Sequence, residues 1–272
     1  MAIGSNESRT SAAKRLARAC LRVLFSLLPA GPVACGESSP EGEAVDQVVL
    51  LHGLSRTDLS MIRMEKVLED YGYEVVNVGY SSTQHSIEHL AAEELAPAVE
   101  ACCAEPNGKV HFVTHSMGGI VLRYYLENHE LENLGRVVML SPPNQGSEVA
   151  DWVAESPLLQ RILGPSAEQL GTGPESVPSQ LGPVDFDLGI IAGNKTLNPL
   201  FSRMIPGADD GKVSVERTKV EGMSDFLVVP RSHTYIMMSD DVIAQVAYFL
   251  EHGEFRRDSL DAASADSAPT AE

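Results

Sequence analysis

Three residues, far apart in the chain, have the types needed to activate a hydroxyl. Ser116 stands in Thr114-His115-Ser116-Met117-Gly118-Gly119. The stretch approximates G-x-S-x-G with Thr in the first place. In that pattern a sharp strand-to-helix turn exposes the serine hydroxyl above a sheet, and small neighbours are needed because backbone segments crowd it. Gly118 and Gly119 supply them on the helix side; Thr114 is larger than usual. Such a serine alone can also be read as a helix N-cap. The apolar run KVHFVT before it and the amphipathic pattern after it give it more weight. Further on, Pro206-Gly207-Ala208-Asp209-Asp210-Gly211-Lys212-Val213 is an acidic turn, and Ser232-His233-Thr234 closes another apolar run. In that set His233 would take the proton of Ser116 and return it to a leaving group, and Asp210 would fix the imidazole tautomer. Each piece alone reads as a surface turn or a satisfied loop histidine. In the order Ser, Asp, His, all at strand ends, they make a set.

The elements that must position these residues follow from periodicity. Short β-branched runs predict strands at 47–52, 73–80, 109–114, 136–141, 187–192 and 225–231. Between them lie helical patterns. Met64, Val67, Leu68 and Tyr71 mark one face of a helix over 58–71 that Gly72 ends. A helix over 86–104 has a kink or break expected at Pro97. Others are expected at 118–128, 147–155 and 240–253, the last with Ile243, Val246, Ala247 and Leu250 on one face. The alternation predicts an α/β fold, a doubly wound, mostly parallel sheet of about six strands, with functional residues at the strands' carboxyl ends. Residues 156–184 hold five prolines and are too long for an ordinary connection, which suggests a substrate-facing loop or small lid.

The 272 residues are 43% hydrophobic and 21% charged, a globular composition with no run of 18 uncharged apolar residues to span a bilayer. The formal charge of −18 argues against nucleic acid as a partner. Residues 1–34 carry +4, so the rest carries −22. This basic stretch runs into Val23–Ala34, a short apolar segment ending at Cys35, and reads as an export signal. Cys35-Gly36 resembles a lipoprotein cleavage site, so the protein is expected to be exported, periplasmic or membrane-attached through Cys35. The alternative is an uncleaved extension on a cytoplasmic protein. The expected organisation is a leader and linker over 1–44, one catalytic domain over 45–255, and an acidic, unfolded tail over 256–272.

Other signals compete. His85-Ser86-Ile87-Glu88-His89 matches H-x-x-E-H, a zinc peptidase signature, but lacks an evident third ligand and is read as a solvated helix start; no metal or cofactor is expected. Cys102-Cys103 reads as two semi-buried thiols, because a ring between chain neighbours is strained. Trp152 reads as a packing residue, and Asn144 and Gln145 as loop caps.

Together, LLHGL (50–54), VTHSMGGIVLRYYL (113–126), LSPPNQGSEVADW (140–152), DDGKVSVERTK (209–219) and HTYIM (233–237) resemble the α/β-hydrolase superfamily, in particular its small bacterial lipase- and esterase-like members. The resemblance covers about 47–253. It implies Ser116 as nucleophile, His233 as base, Asp210 rather than Asp209 as the acid, and the Leu54 and Met117 amides as oxyanion donors. It implies cleavage of a small-molecule or lipid-like carboxylic ester through an acyl-enzyme. An acyltransferase or thioesterase with the same triad, or a non-catalytic binding protein of this fold, are the alternatives. No usual hairpin is expected ahead of the first strand, so the sheet is expected to be minimal; about 50 residues between the fourth and fifth strands leave no room for a large cap, so a shallow, open site is expected.

Overall fold

The computed structural model describes residues 44–103, 108–197 and 199–257. The expectations for residues 1–43, Cys35 included, and for 258–272 fall outside the described residues; Arg256, expected to begin the unfolded tail, instead pairs its backbone with the Gln245 side chain. The strands are β1 Gln47–Leu51, β2 Glu74–Val78, β3 Val110–His115, β4 Leu134–Leu140, β5 Leu188–Gly193 and β6 Asp225–Val229. All five pairings are parallel, in the order β2-β1-β3-β4-β5-β6.

Because strand side chains alternate, one continuous apolar run serves both faces. Val49, Leu51, Phe112 and Met139 point to one side, where Ile120 and Val121 of α4 (Met117–Asn128) cover them. Val48, Leu50, Val113 and Leu140 point to the other. Met64 and Leu68 of α1 (Ile62–Asp70) cover them there, with Ile243, Val246 and Leu250 of α10 (Asp240–His252). The expected helix faces are therefore the buried ones, with one exception. Tyr71 is exposed, because it lies past the last turn of α1, where Gly72 turns left-handed at φ +94°.

The expected helix over 86–104 is interrupted earlier than Pro97. It consists of α2 Ile87–His89, a π-helical stretch Leu90–Leu95, and α3 Ala96–Cys103. Proline gives no N–H to the carbonyl four residues back, and its ring crowds that carbonyl, so the turn ahead of it widens. Cys102 and Cys103 are joined in a disulfide, against the expectation of two thiols.

The proline-rich segment after β4 is mostly helical: α5 Glu148–Ala154, α6 Pro157–Leu163, α7 Pro165–Glu168 and α8 Val177–Gln180. Three of its five prolines open helices instead of breaking them. Pro157, Pro165 and Pro178 occupy first-turn positions, where a missing N–H costs nothing. A last short helix, α9 Pro199–Ser202, follows β5. Among the described residues there is no large cap.

Candidate active site

Between β1 and β3 the sheet order reverses, so the loops leaving their carboxyl ends open onto one crevice. Gly53 follows β1, and Ser116 follows β3. A Cβ on Gly53 would lie 2.9 Å from His115 Nδ1 and 3.1 Å from Ser116 Cβ, so only glycine lets the two loops meet. Ser116 sits at φ 55°, ψ −124°, a strained conformation for any residue with a side chain. Gly118 makes that turn possible: a Cβ there would come 2.7 Å from the His52 carbonyl oxygen and 2.8 Å from that of Leu51.

The structure brings three of the expected residues into line. Ser116 Oγ is 2.9 Å from His233 Nε2, and His233 Nδ1 is 2.8 Å from Asp210 Oδ2. With its Nδ1 proton given to the carboxylate, the imidazole presents Nε2 as an acceptor to the hydroxyl. Of the two adjacent aspartates, Asp210 is the one that reaches His233. Asp209 turns away and accepts from Ser202 Oγ at 2.6 Å and from the Gly211 amide at 2.7 Å. Asp210 also accepts the amides of Lys212 and Val213 through Oδ1. Burial alone would raise its pKa. The charge and hydrogen bond of His233, the Val213 amide and the Ser141 hydroxyl outweigh burial and hold it below the usual carboxylate value.

Several supporting residues gave no sequence signal, because their roles depend on contacts distant in the chain. His115 is buried beside the serine, and its Nε2 donates to the His233 carbonyl oxygen at 2.9 Å. Burial first, and the nearby His233 charge second, hold its pKa well below the ordinary histidine value. The amide of His233 donates to the Asp210 carbonyl oxygen at 3.0 Å. Tyr80 stacks on His52 at 4.0 Å and donates to that residue's carbonyl oxygen, steadying the end of β1. Arg123, buried in α4, donates to Asn144 Oδ1 and to the carbonyl oxygens of Leu181 and Gly182. Burial lowers its pKa to about 10, so it remains charged at neutral pH. Asn144 in turn donates to the Thr218 carbonyl oxygen, the loop-capping role expected of it.

Ser116 and His233 open into a cavity of about 330 Å³. Its apolar wall comes largely from the helices after β4, through Ala150, Val153, Leu159, Leu163, Ala167 and Leu170. The short insertion thus supplies part of the site's wall through α5, α6 and α7. Trp152, expected to be a packing residue, is 41% exposed, lines the cavity and leans on Phe201 at 5.7 Å. Leu54 lines the cavity beside Ser116. Met117 begins α4, where an N–H has no partner within the helix. Two cations, Arg56 and Lys212, complete the lining.

This geometry can be set beside known proteins. The family model for palmitoyl protein thioesterase matches residues 47–169. No curated protein matches the sequence. Among solved structures, the mature form of a Bacillus licheniformis lipase is similar with a TM-score of 0.62 and 20% identity, over 80% of this chain and 94% of that one. The phospholipase PlaB of Legionella pneumophila gives 0.60 at 17%, over 82% of this chain and 62% of that one. A metagenomic carboxyl esterase gives 0.52 at 18%, over 79% and 71%. With this sheet order, this strand-to-helix turn and these likenesses to solved structures, the chain has the α/β-hydrolase fold.

Proposed function

We propose that the protein is a serine hydrolase that cleaves carboxylic esters of apolar acyl chains. The hydrogen-bonded line from Ser116 through His233 to Asp210, opening on an apolar cavity, carries this reading. Ser116 Oγ attacks the ester carbonyl carbon while His233 Nε2 takes its proton, and Asp210 stabilises the resulting imidazolium. The amides of Leu54 and Met117 receive the negative oxygen, each contributing on the order of 3 kcal/mol in the transition state. His233 then gives its proton to the departing alkoxide. Water, deprotonated by the same imidazole, releases the acid from Ser116. Leu158 and Ile162 of α6 are largely exposed on the helix that also supplies Leu159 and Leu163 to the cavity, which suits substrates presented from a lipid phase.

A second reading, a thioesterase, is favoured by the match to the palmitoyl protein thioesterase family model. The two share one acyl-enzyme and differ in the leaving group. Rates with p-nitrophenyl esters of 2 to 16 carbons, beside acyl thioesters of the same chains, separate them. Activity on medium or long oxoesters supports the first reading, thioester preference the second, and turnover of neither contradicts both. Export with attachment through Cys35 is proposed on sequence alone, and mass spectrometry of the mature N-terminus tests it. Recovery of a chain beginning at Met1 or Ala2 would end it.

A further inference from the structure

The H-x-x-E-H stretch gains a third partner in the fold, though not the one its pattern suggests. Glu88 is occupied elsewhere: both its carboxylate oxygens accept from Gln169 Nε2 at 2.8 Å. Glu94, six residues further on, takes its place. The π-helical stretch Leu90–Leu95 carries Glu94, and one ligand atom from each of His85, His89 and Glu94 lies within 4.8 Å of the others. The two imidazoles stack at 4.0 Å, with 27° between their planes. Four ligands around zinc at 2.0–2.1 Å stand roughly 3.4 Å apart, so modest side-chain adjustment closes the set.

We propose that His85, His89 and Glu94 bind a zinc ion, with water in the fourth position. Two imidazoles and one carboxylate suit a borderline transition metal better than calcium or magnesium, which prefer all-oxygen sites. None of the three residues lines the cavity holding Ser116, so the role is structural. Glu94 Oε2 already accepts the Ser81 amide at 2.8 Å. The next residue, Ser82, connects two parts of the site. Its Oγ accepts the amide of Ser55, in the loop after β1, at 3.1 Å, and its carbonyl oxygen accepts from Ser166 Oγ of α7 at 2.6 Å. Alongside, the Ile87 amide donates to Gln169 Oε1 at 2.7 Å. An ion bridging residues 85, 89 and 94 therefore fastens the 81–89 segment, on which both the β1 loop and the helices over the cavity rest.

The test uses the untagged full chain, stripped with chelator and desalted. Zinc binding is followed by titration calorimetry, and cobalt substitution by visible absorption. We expect one ion per chain, tetrahedral cobalt bands, a rise in melting temperature with zinc and none with magnesium or calcium. His85→Ala and His89→Ala each weaken binding by at least about 10–100-fold, the loss that outer-shell changes already cause. Glu94→Gln keeps an acceptor for the Ser81 amide but removes the anionic ligand, so it folds as the parent does and binds more weakly. His252→Ala, on an exposed helix end, binds as the parent does. Absence of stoichiometric binding by the parent, or equal binding by the His85 and His89 variants, overturns the site. These readouts do not depend on hydrolysis, so they hold whatever the substrate.

Discussion

His115 Nε2 donates to the carbonyl oxygen of His233 at 2.9 Å. The residue before the serine thus holds the backbone of the imidazole that the serine faces, and the two rings lie 4.9 Å apart. Since the acceptor is a carbonyl, the proton sits on Nε2. Nδ1 is left buried against Gly53, with no hydrogen-bond partner among the described residues. His115→Phe keeps the ring and removes the donor. The unpaired carbonyl costs about 1–3 kcal/mol of stability. With His233 less firmly placed, kcat falls while KM stays near the parent's. Denaturant melts and ester kinetics read both; an unchanged kcat would mean the contact does not position the base.

The same burial makes stability pH-dependent. His52, His111 and His115 are all held below the ordinary histidine value, with burial the largest cause. The unfolded chain protonates these imidazoles below about pH 6.5, while the folded one resists. Their contribution is complete above that pH and is lost as pH falls from 6.5 toward the folded values. The melting temperature is expected to drop between pH 6.5 and 5, and the drop to be shallower in His115→Phe. A flat profile in the parent would contradict the buried, neutral state of these rings. Asp210 acts lower on the scale: its depressed pKa gives stability that persists above about pH 3.9 and disappears as pH falls further.

The two adjacent aspartates should separate cleanly. Asp210→Asn removes the carboxylate from His233 Nδ1 and is expected to lower kcat on the order of 10⁴-fold with the fold intact. Asp209→Asn weakens the Ser202 and Gly211 contacts and is expected to cost stability, about 1–3 kcal/mol, more than rate. Steady-state kinetics and thermal melts on both variants decide it. Equal rate losses would remove the distinction.

How far the sequence spoke differs from element to element. The six strands and the faces of α1 and α10 follow from local periodicity, and the sharp turn at Ser116 from the G-x-S-x-G-like motif around it. Asp210, His233 and Ser116 are recognisable because each ends a strand or fills a turn of characteristic composition. His115, Ser141 and Arg123 are not, because each acts through a partner distant in the chain. The prolines after β4 suggested a loop or small lid without showing its helices, whose first turns Pro157, Pro165 and Pro178 occupy. Glu94 was missed for a similar reason, since only the widened turn ahead of Pro97 sets it beside His85 and His89.

Cavity size should govern chain length. Ala150 and Val153 are small side chains of α5 on the cavity wall. Val153→Phe or Ala150→Phe fills that space at an overpacking cost of about 1–3 kcal/mol. Acetyl esters should be cleaved at near-parental rates, and esters of eight or more carbons at least about tenfold more slowly, a modest pocket discrimination. Parallel loss on all chain lengths would place the acyl group elsewhere.

The most direct measurement is covalent. A fluorophosphonate reacts far faster with an activated serine than with ordinary hydroxyls, so intact mass and peptide mapping locate the nucleophile. The account predicts one phosphonyl group per chain, on Ser116, and no label or ester hydrolysis in Ser116→Ala. An unlabelled parent, or equal labelling of parent and variant, would contradict it.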